Sequence, residues 1–392
     1  MDRPILLDGR ALQDRSSTRG IGTYLRGLLD GMAALGAGEQ VALLLRAGEP
    51  PPADLGRWQA APGPRLPVLK RRLQPVADPF LVSRVLRRER PRLYHAVEYA
   101  QPVSAAGTRV VVTVHDLIPF LFPADYPWMR RERLLALRLL RRADAVITPS
   151  TATARDVERL ARVDARRITV VPHGVDAAYR PADPDAVAAL RARLGLGADQ
   201  PYLLSVGVFD PRKRLGLLVD TAARLCAADP ALRLVVAGDQ GAYTEPVRRA
   251  LATAGLSQRA LLAGYVPPES MPALYTGAAC LLFTSAYEGF GLPILEAMAC
   301  DCPVAACANS AIPEVAGDAG LLVPEAPQGE MAAALAAAVA PLLRDPVERA
   351  RRGELGRLHA AGFTWQRAAR QTLDVYRRVA PDLPLPEPPG PA

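Results

Sequence analysis

The chain has 392 residues, half of them hydrophobic, and a formal charge of +8, which gives two domains of ordinary size a substantial core each. Its five cysteines form no C-x-x-C pair and lack histidines at matching spacing, which argues against zinc and a disulfide framework; buried, reduced thiols are expected. The first residues, MDRPILLDG, lack the apolar stretch of a signal peptide, and no apolar run reaches the ~18 residues of a spanning helix, so a cytoplasmic protein is expected, at most peripheral on the inner face of a membrane.

The basic residues are nearly all Arg, a bias that with the abundant Ala points to a GC-rich genome more than to a function. The charge is uneven: residues 1–180 hold 29 Lys+Arg against 18 Asp+Glu, or +11, which leaves −3 for the rest. A basic first half suits an anionic surface or an anionic acceptor.

In chain order, residues 5–7 read as a strand and 16–22 as a polar loop with glycine. Ile21, Tyr24, Leu25, Leu28, Leu29 and Met32 then fall at helical spacing. Residues 41–45 are the next strand, and the Pro- and Gly-rich residues 47–67 are expected as a loop. Residues 69–92 are basic and partly amphipathic, with Lys70, Arg71, Arg72, Arg84, Arg87 and Arg88 beside Phe80, Leu81, Val85 and Leu86. Strands are expected at 93–96, 110–114, 145–148 and 168–171, with a helix over 128–142. The run VVVTV suits a strand buried on both faces. A Pro-punctuated linker follows at 176–184. The pattern then restarts, with strands at 202–206, 232–237, 261–263, 279–283, 303–306 and 321–323 and helices between most of them, for example 215–227. A helix over 364–379 precedes a Pro-rich stretch, 381–392, expected to be disordered. Strand–helix alternation twice over predicts two doubly wound α/β domains, 1–175 and 185–362. Such sheets bind ligands at the carboxyl ends of their strands.

The densest motif is AYEGFGLPILEAMAC, Ala286 to Cys300. It follows a buried strand, and Pro293 fits the first position of a helix. Seven residues separate Glu288 on the loop from Glu296 about one turn into that helix, so both carboxylates can face one crevice. The glycines let backbone amides approach a ligand, and a helix N-terminus favours anions. The plain alternative is a tight turn with two solvated glutamates. Arg212 and Lys213, in FDPRKR after the strand at 202–206, are adjacent cations placed for a diphosphate. The plain alternative is a solvated turn, but Lys213 is one of only two lysines, the other being Lys70, which favours a wanted point charge.

Gly20-Ile21-Gly22 opens the first helix and could bring amides to phosphates. It is no dinucleotide fingerprint, since Leu25 stands where the third Gly would fall. His115 ends the VVVTV strand at a ligand edge, with Asp116 either orienting it or capping the next turn. His95 and Glu98 point to the same edge as acceptor-side candidates. His173 reads as structural and His359 as a surface helix residue. Asp183-Pro-Asp185 matches a D-x-D metal motif, but at a helix start capping explains it better, and no metal is expected.

The E-x7-E spacing inside EGFGLPILEAMAC resembles the signature of retaining GT-B glycosyltransferases, family 4 in particular, and the resemblance runs along nearly the whole chain. GIGTYLRGLLDGM, TVHDLIPFLFP, PHGVD and DPRKR are most similar to bacterial mannosyltransferases of surface-polysaccharide assembly. The resemblance implies two facing Rossmann-like domains, with a C-terminal helix at 363–380 crossing back onto the first. It implies metal-independent transfer of a hexose, without a cofactor, from a nucleotide-diphospho-sugar to a glycan or lipid-diphosphate-linked acceptor. GDP-mannose is the first expectation for the donor and a UDP-sugar the second; nucleic acid is not an expected partner.

Carried over residue by residue, Glu296 would hold the ribose hydroxyls. Glu288 would meet the transferred sugar, with the amides of Gly289, Phe290 and Gly291 alongside and Leu292 in the same donor-binding stretch. Arg212 and Lys213 would neutralise the diphosphate, Gly20 and Gly22 would approach it, and His115 would face the sugar. Ser310 and Glu314, in NSAIPEVAGDAG, resemble a loop near the nucleotide. One departure is Val208, which stands where relatives carry an Arg and leaves the phosphate clamp to Arg212 and Lys213. Two other classes remain at this point. A Rossmann-type epimerase or dehydrogenase would bind NAD(P), and a silent nucleotide-sugar binder would not hydrolyse its donor.

Overall fold

The computed structural model describes residues 3–13, 20–67, 74–99, 107–238 and 241–386. The chain divides into two compact units, Met1–Gly174 with Thr364–Ala392, and Val175–Phe363.

The first unit holds strands β1 (Ile5–Asp8), β2 (Val41–Arg46), β3 (Ala61–Leu66), β4 (Leu93–Ala96), β5 (Arg109–Thr113), β6 (Ala145–Thr148) and β7 (Ile168–Val170). Its helices are α1 (Gly20–Ala34), α2 (Gln74–Glu89), α3 (Ile118–Leu121), α4 (Pro127–Leu139) and α5 (Thr151–Asp156). The strands form one parallel sheet in the order β3-β2-β1-β4-β5-β6-β7. The β-branched run at β5 is buried in the middle of it, as a strand covered on both faces requires.

The second unit holds α6 (Pro184–Arg193), β8 (Tyr202–Val206), α7 (Leu215–Ala228), β9 (Arg233–Ala237), α8 (Thr244–Thr253), β10 (Ala260–Gly264), α9 (Met271–Thr276) and β11 (Cys280–Phe283). It continues with α10 (Leu292–Ala299), β12 (Val304–Cys307), α11 (Ile312–Ala316), β13 (Leu321–Val323), α12 (Gln328–Arg344) and α13 (Pro346–Ala360). Its parallel sheet runs β10-β9-β8-β11-β12-β13 and carries an apolar cluster on each face. The strand order reverses between β8 and β11, and open sheets of this kind hold ligands outside the carboxyl ends of the strands at that point.

The last helix, α14 (Trp365–Val379), returns to the first unit. Thr364 caps it by accepting the Arg367 amide. Its buried face, which includes Trp365, Ala369 and Tyr376, lies along α1. Gly27 and Gly31 of α1 are required there, because a Cβ at either would collide with Trp365.

Several expectations need correction. Residues 61–66 are a strand, not a loop. Among the described residues β3 pairs only with β2, so Pro62 and Pro64 sit on a sheet edge, where a missing N–H is tolerated. Gly63 fits because a Cβ would come within 2.6 Å of the Leu43 carbonyl oxygen. Residues 381–386, expected in a disordered tail, are packed: Leu383 is buried and Arg377 donates to the Pro386 carbonyl at 2.6 Å. Residues 16–19, Lys70, Arg71, Arg72 and the end of the tail lie outside the described residues. Among the described residues no helix is long and apolar enough to cross a membrane.

Candidate functional site

The carboxyl end of β8 leads through Gly207, at φ 114°, into the turn Pro211–Lys213. Arg214 then takes a left-handed conformation, φ 50°, and opens α7. This turn is stitched to the loop after β11: Ala286 N–H donates to the Arg212 carbonyl at 2.7 Å and Thr284 Oγ to the Lys213 carbonyl at 2.9 Å. A small pocket beside them is lined by Ser205, Gly207, Phe209, Lys213, Thr284 and Ser285.

Glu288 is the centre of this edge. One carboxylate oxygen, Oε1, accepts from Arg212 Nη1 at 2.8 Å, Lys213 Nζ at 2.5 Å and Ser285 Oγ at 2.7 Å. Arg212 also donates to the Tyr287 carbonyl and pairs with Asp210, and Lys213 lies 4.9 Å above the Phe283 ring. Burial pushes the Glu288 carboxyl up, but Lys213 and Arg212 outweigh it and hold it at about 2. Neither the solvated glutamate nor the solvated cation turn describes this cluster. The two cations meet the loop's own carboxylate.

Glu296 has separate partners. Gly291, φ 107°, precedes α10, and Pro293 is the second residue of that helix rather than the first. Tyr275 donates its hydroxyl to Glu296 Oε2 at 2.8 Å. Burial raises the Glu296 carboxyl to about 7, opposed by hydrogen bonds from Tyr275 and Tyr179 and reinforced by Asp176. No cation pairs with it among the described residues. Phe290 is buried, 6.3 Å from the Phe363 ring, so its side chain belongs to the core. Gly289 is buried beside it and Leu292 is half-buried.

In the first unit, His115 stands just past β5. Its Nε2 lies 3.0 Å from the Val97 carbonyl oxygen and its Nδ1 3.3 Å from His173 Nε2, and Tyr24 meets its ring at 4.7 Å. Burial lowers its pKa to about 4, so it is neutral at pH 7. The Asp116 carboxylate accepts the Ile118 amide and caps the turn, while both His115 ring nitrogens meet other groups. His173 is structural, stacked 5.8 Å from Trp365. His95 is a core residue rather than an acceptor-edge one. It is fully buried between Tyr376 OH at 2.6 Å and Thr113 Oγ at 2.8 Å, and burial, then His115, lower its pKa to about 3. Gly20 opens α1 with open space around it, and Gly22 is buried in the helix. His359 is half-buried, with Nε2 on the Val315 carbonyl, so it is not a plain surface residue. Asp183 stands at the N-cap of α6, but its side chain makes no capping bond. Among the described residues no His, Cys, Asp and Glu cluster could hold a metal ion, and the five cysteines are buried and free.

Two groups had no sequence signal. Arg10 is buried between Asp8, at 2.9 and 2.7 Å, and Asp78, at 2.9 Å. Asn309 and Glu325 sit behind the Glu288 loop, and Ser310 Oγ accepts the Glu288 amide at 2.9 Å. Of these three, the sequence motif marks Ser310 alone. Glu314 is exposed on α11.

The family model described as glycosyl transferases group 1 matches residues 187–359, and that of glycosyltransferase family 4 matches residues 18–179. O-antigen chain mannosyltransferase B of Escherichia coli is 31% identical over 299 residues, 74% of this chain and 76% of that protein. D-inositol 3-phosphate glycosyltransferase of Nocardia farcinica is 35% identical over 61% of this chain, which spans about half that relative's length (53%). Among solved structures, sucrose-phosphate synthase of Thermosynechococcus elongatus superposes with a TM-score of 0.78 at 25% identity, covering 96% of this chain and 99% of that one. HepE of Anabaena, in complex with UDP and glucose, gives 0.74 at 22% identity, covering 95% and 99%.

Proposed function

The chain belongs to glycosyltransferase family 4 and is a nucleotide-sugar-dependent enzyme of the GT-B fold; from that premise we propose that it transfers mannose, with retention, from GDP-mannose to a glycan or lipid-diphosphate-linked acceptor in polysaccharide assembly. The observation that carries the donor site is the meeting of Arg212, Lys213 and Glu288 at the carboxyl edge of β8 and β11. Mannose as the sugar rests on the likeness to the mannosyltransferase of Escherichia coli.

On this reading Arg212 and Lys213 turn from Glu288 to the donor diphosphate. The bond from the sugar C1 to the phosphate oxygen breaks with its electron pair going to the nucleoside diphosphate. The acceptor oxygen bonds C1 from the same face, and its proton passes to a phosphate oxygen. Negative charge grows on the diphosphate as that bond lengthens, so two cations there favour the transition state over the ground state. Glu288, freed from them, meets the sugar. Glu296 accepts the ribose hydroxyls at the first turns of α10, and the backbone of Gly289 to Leu292 lies alongside. His115 contacts the transferred sugar.

A thermal-shift screen over GDP-, UDP- and ADP-sugars tests the donor, since a ligand that binds only the folded state stabilises it by mass action. GDP-mannose should raise the melting temperature most. A larger rise with UDP-glucose would support the second reading, a UDP-sugar donor such as the one bound by HepE. Release of GDP from GDP-mannose separates an enzyme from a silent binder.

A further inference from the structure

Asn309 stands two residues beyond β12 and uses its whole amide. Nδ2 donates to the Ser285 carbonyl at 2.9 Å and to Glu325 Oε1 at 2.7 Å, and Oδ1 accepts from Ser310 Oγ at 2.9 Å. Ser310 Oγ in turn accepts the Glu288 amide at 2.9 Å, with Ser310 itself held at φ 47°, in the left-handed region. Asn309 therefore holds the Ser285 end of the Ser285–Glu288 turn directly and the Glu288 end through Ser310. Behind it, Glu325 is clasped by Arg214 at 2.8 and 2.7 Å, and Arg214 is the residue directly after Lys213. The chain of bonds runs from the start of α7 through the loops after β13 and β12 to the loop after β11.

The chemistry of the position is specific. Two of its neighbours are pure acceptors, a carbonyl and a carboxylate, so they need the two N–H groups of an amide. A carboxylate at 309 would set like charge against Glu325 and a lone pair against Ser285. An apolar residue would leave Ser285, Glu325 and Ser310 each short of a bond.

We propose that Asn309 is a positioning residue for glycosyl transfer: it fixes the Ser285–Glu288 turn, with Arg214 and Glu325 acting through it. The inference rests on the reading of Glu288 as the carboxylate that meets the donor sugar. The Lys213 carbonyl keeps its own tie to Thr284, which lies outside that turn. Losing Asn309 therefore displaces Glu288 more than the phosphate clamp, and small misplacements of a reacting group are costly to rate.

The test compares wild type with Asn309→Ala, Asn309→Asp, Arg214→Ala, the double Asn309→Ala/Arg214→Ala and the double Asn309→Asp/Glu325→Gln. Release of GDP from GDP-mannose and of UDP from UDP-glucose gives turnover, GDP and UDP titrations give affinity, and a melt gives stability. Asn309→Ala should lower kcat at least tenfold, with nucleotide affinity within threefold of wild type and a melting temperature only a few degrees lower, the cost of the bonds it leaves unmade. Asn309→Asp should fall at least as far, and Glu325→Gln should recover part of that loss, because the contact re-forms with donor and acceptor exchanged. Arg214→Ala should add nothing on top of Asn309→Ala. Unchanged kcat in Asn309→Ala, parallel loss of affinity and stability, or additive loss with Arg214→Ala would overturn the inference alone. Wild type that binds and turns over neither donor would overturn the donor reading and this inference with it.

Discussion

Lys213 Nζ lies 2.5 Å from Glu288 Oε1, the same oxygen held by Arg212 and Ser285, so this carboxylate engages the two cations proposed for the diphosphate. A carboxylate and a phosphate oxygen compete for the same charge-assisted bonds. Glu288→Gln removes the competing charge while keeping the shape. It should bind GDP or UDP about tenfold more tightly, a gain of ~1.4 kcal/mol, and lose most of its turnover. Titration calorimetry beside a rate assay reads both, and weaker nucleotide binding in this variant would rule out the competition. The pairing also carries an acid signature. A carboxyl held at about 2 rather than its usual 4.5 stabilises the fold above pH 4.5 by roughly 3 kcal/mol and loses that contribution as pH falls toward 2. Glu288→Gln should flatten that part of the stability profile.

Lys213 itself should matter to rate. A hydrogen bond to a charged group is worth roughly 1.5–3 kcal/mol, and the leaving diphosphate gains charge in the transition state. Lys213→Ala should lower kcat about ten- to a hundredfold. Lys213→Arg should recover only part, since the guanidinium has a different reach and no longer sits as a point charge over Phe283. Initial rates of nucleotide release beside a melting curve check this. A folded Lys213→Ala protein with wild-type kcat would remove the residue from the site.

The strands that carry this edge were legible because they announce themselves as short apolar runs between polar turns. β8, β11 and the Glu288 loop needed nothing more. β3 was not legible, since Pro62, Gly63 and Pro64 suit a strand only on a sheet edge, and edge position is a property of the whole sheet. The ends of the site divide the same way. The charge types of Arg212, Lys213 and Glu288 and their places at strand ends mark them in the sequence. Their mutual pairing is not marked, because Lys213 and Glu288 stand 75 positions apart in the chain. His95 shows the opposite error: a histidine at a strand end looks like an edge residue until Tyr376, far along the chain, covers it.

Glu296 should make nucleotide binding depend on pH. Its carboxyl is faced by Tyr275, Tyr179, Asp176 and Cys300, with no cation among the described residues to hold it ionised, and burial raises it to about 7. Ribose hydroxyls need an acceptor, so the ionised form is the one that binds. Nucleotide affinity should therefore rise with pH up to about 7–8 and fall by up to tenfold per unit below it, with a proton released on binding near neutral pH. Calorimetry in two buffers of different ionisation enthalpy measures that proton, and its absence would count against the assignment. The raised carboxyl costs stability as pH climbs from 4.5 through 7. Glu296→Gln should accordingly melt higher than wild type at pH 8 and show little gain at pH 4.5.

The outward face of α2 should favour anionic lipid. Phe80 is 74% exposed, and Arg84, Arg87 and Arg88 follow it on the same side of the helix, while Val82 and Leu86 are buried. Each basic residue near an anionic surface is worth ~1 kcal/mol, and that attraction is screened by salt. The protein should co-sediment with phosphatidylserine vesicles at low salt and much less with phosphatidylcholine vesicles. Arg84→Glu/Arg87→Glu should abolish the preference without changing the melting temperature. Equal partition onto both vesicle types would show that α2 is only a solvated basic helix.

His115 has both ring nitrogens engaged inside the first unit, Nε2 at the Val97 carbonyl and Nδ1 toward His173 Nε2. With its pKa lowered to about 4, the imidazole is neutral, so Nε2–H donates to Val97 and Nδ1 accepts from His173. A bond to the donor sugar would have to replace one of these two, which makes the residue part of both fold and site. His115→Ala leaves the Val97 carbonyl and the His173 N–H short of a partner, at a cost of about 1–3 kcal/mol. The variant should melt a few degrees lower, bind GDP or UDP within threefold of wild type, and turn over at least tenfold more slowly. The same burial predicts the pH profile of the fold. A histidine whose pKa drops on folding binds fewer protons than in the unfolded chain between its folded value and about 6.5. His95 and His115 should therefore each cost up to ~1.4 kcal/mol per pH unit as pH falls from 6.5 toward 4. His115→Ala should remove its share of that slope. Loss of nucleotide affinity in step with turnover would make His115 a structural residue with no role at the sugar, and an unchanged slope would show that it is protonated as readily in the folded chain as in the unfolded one.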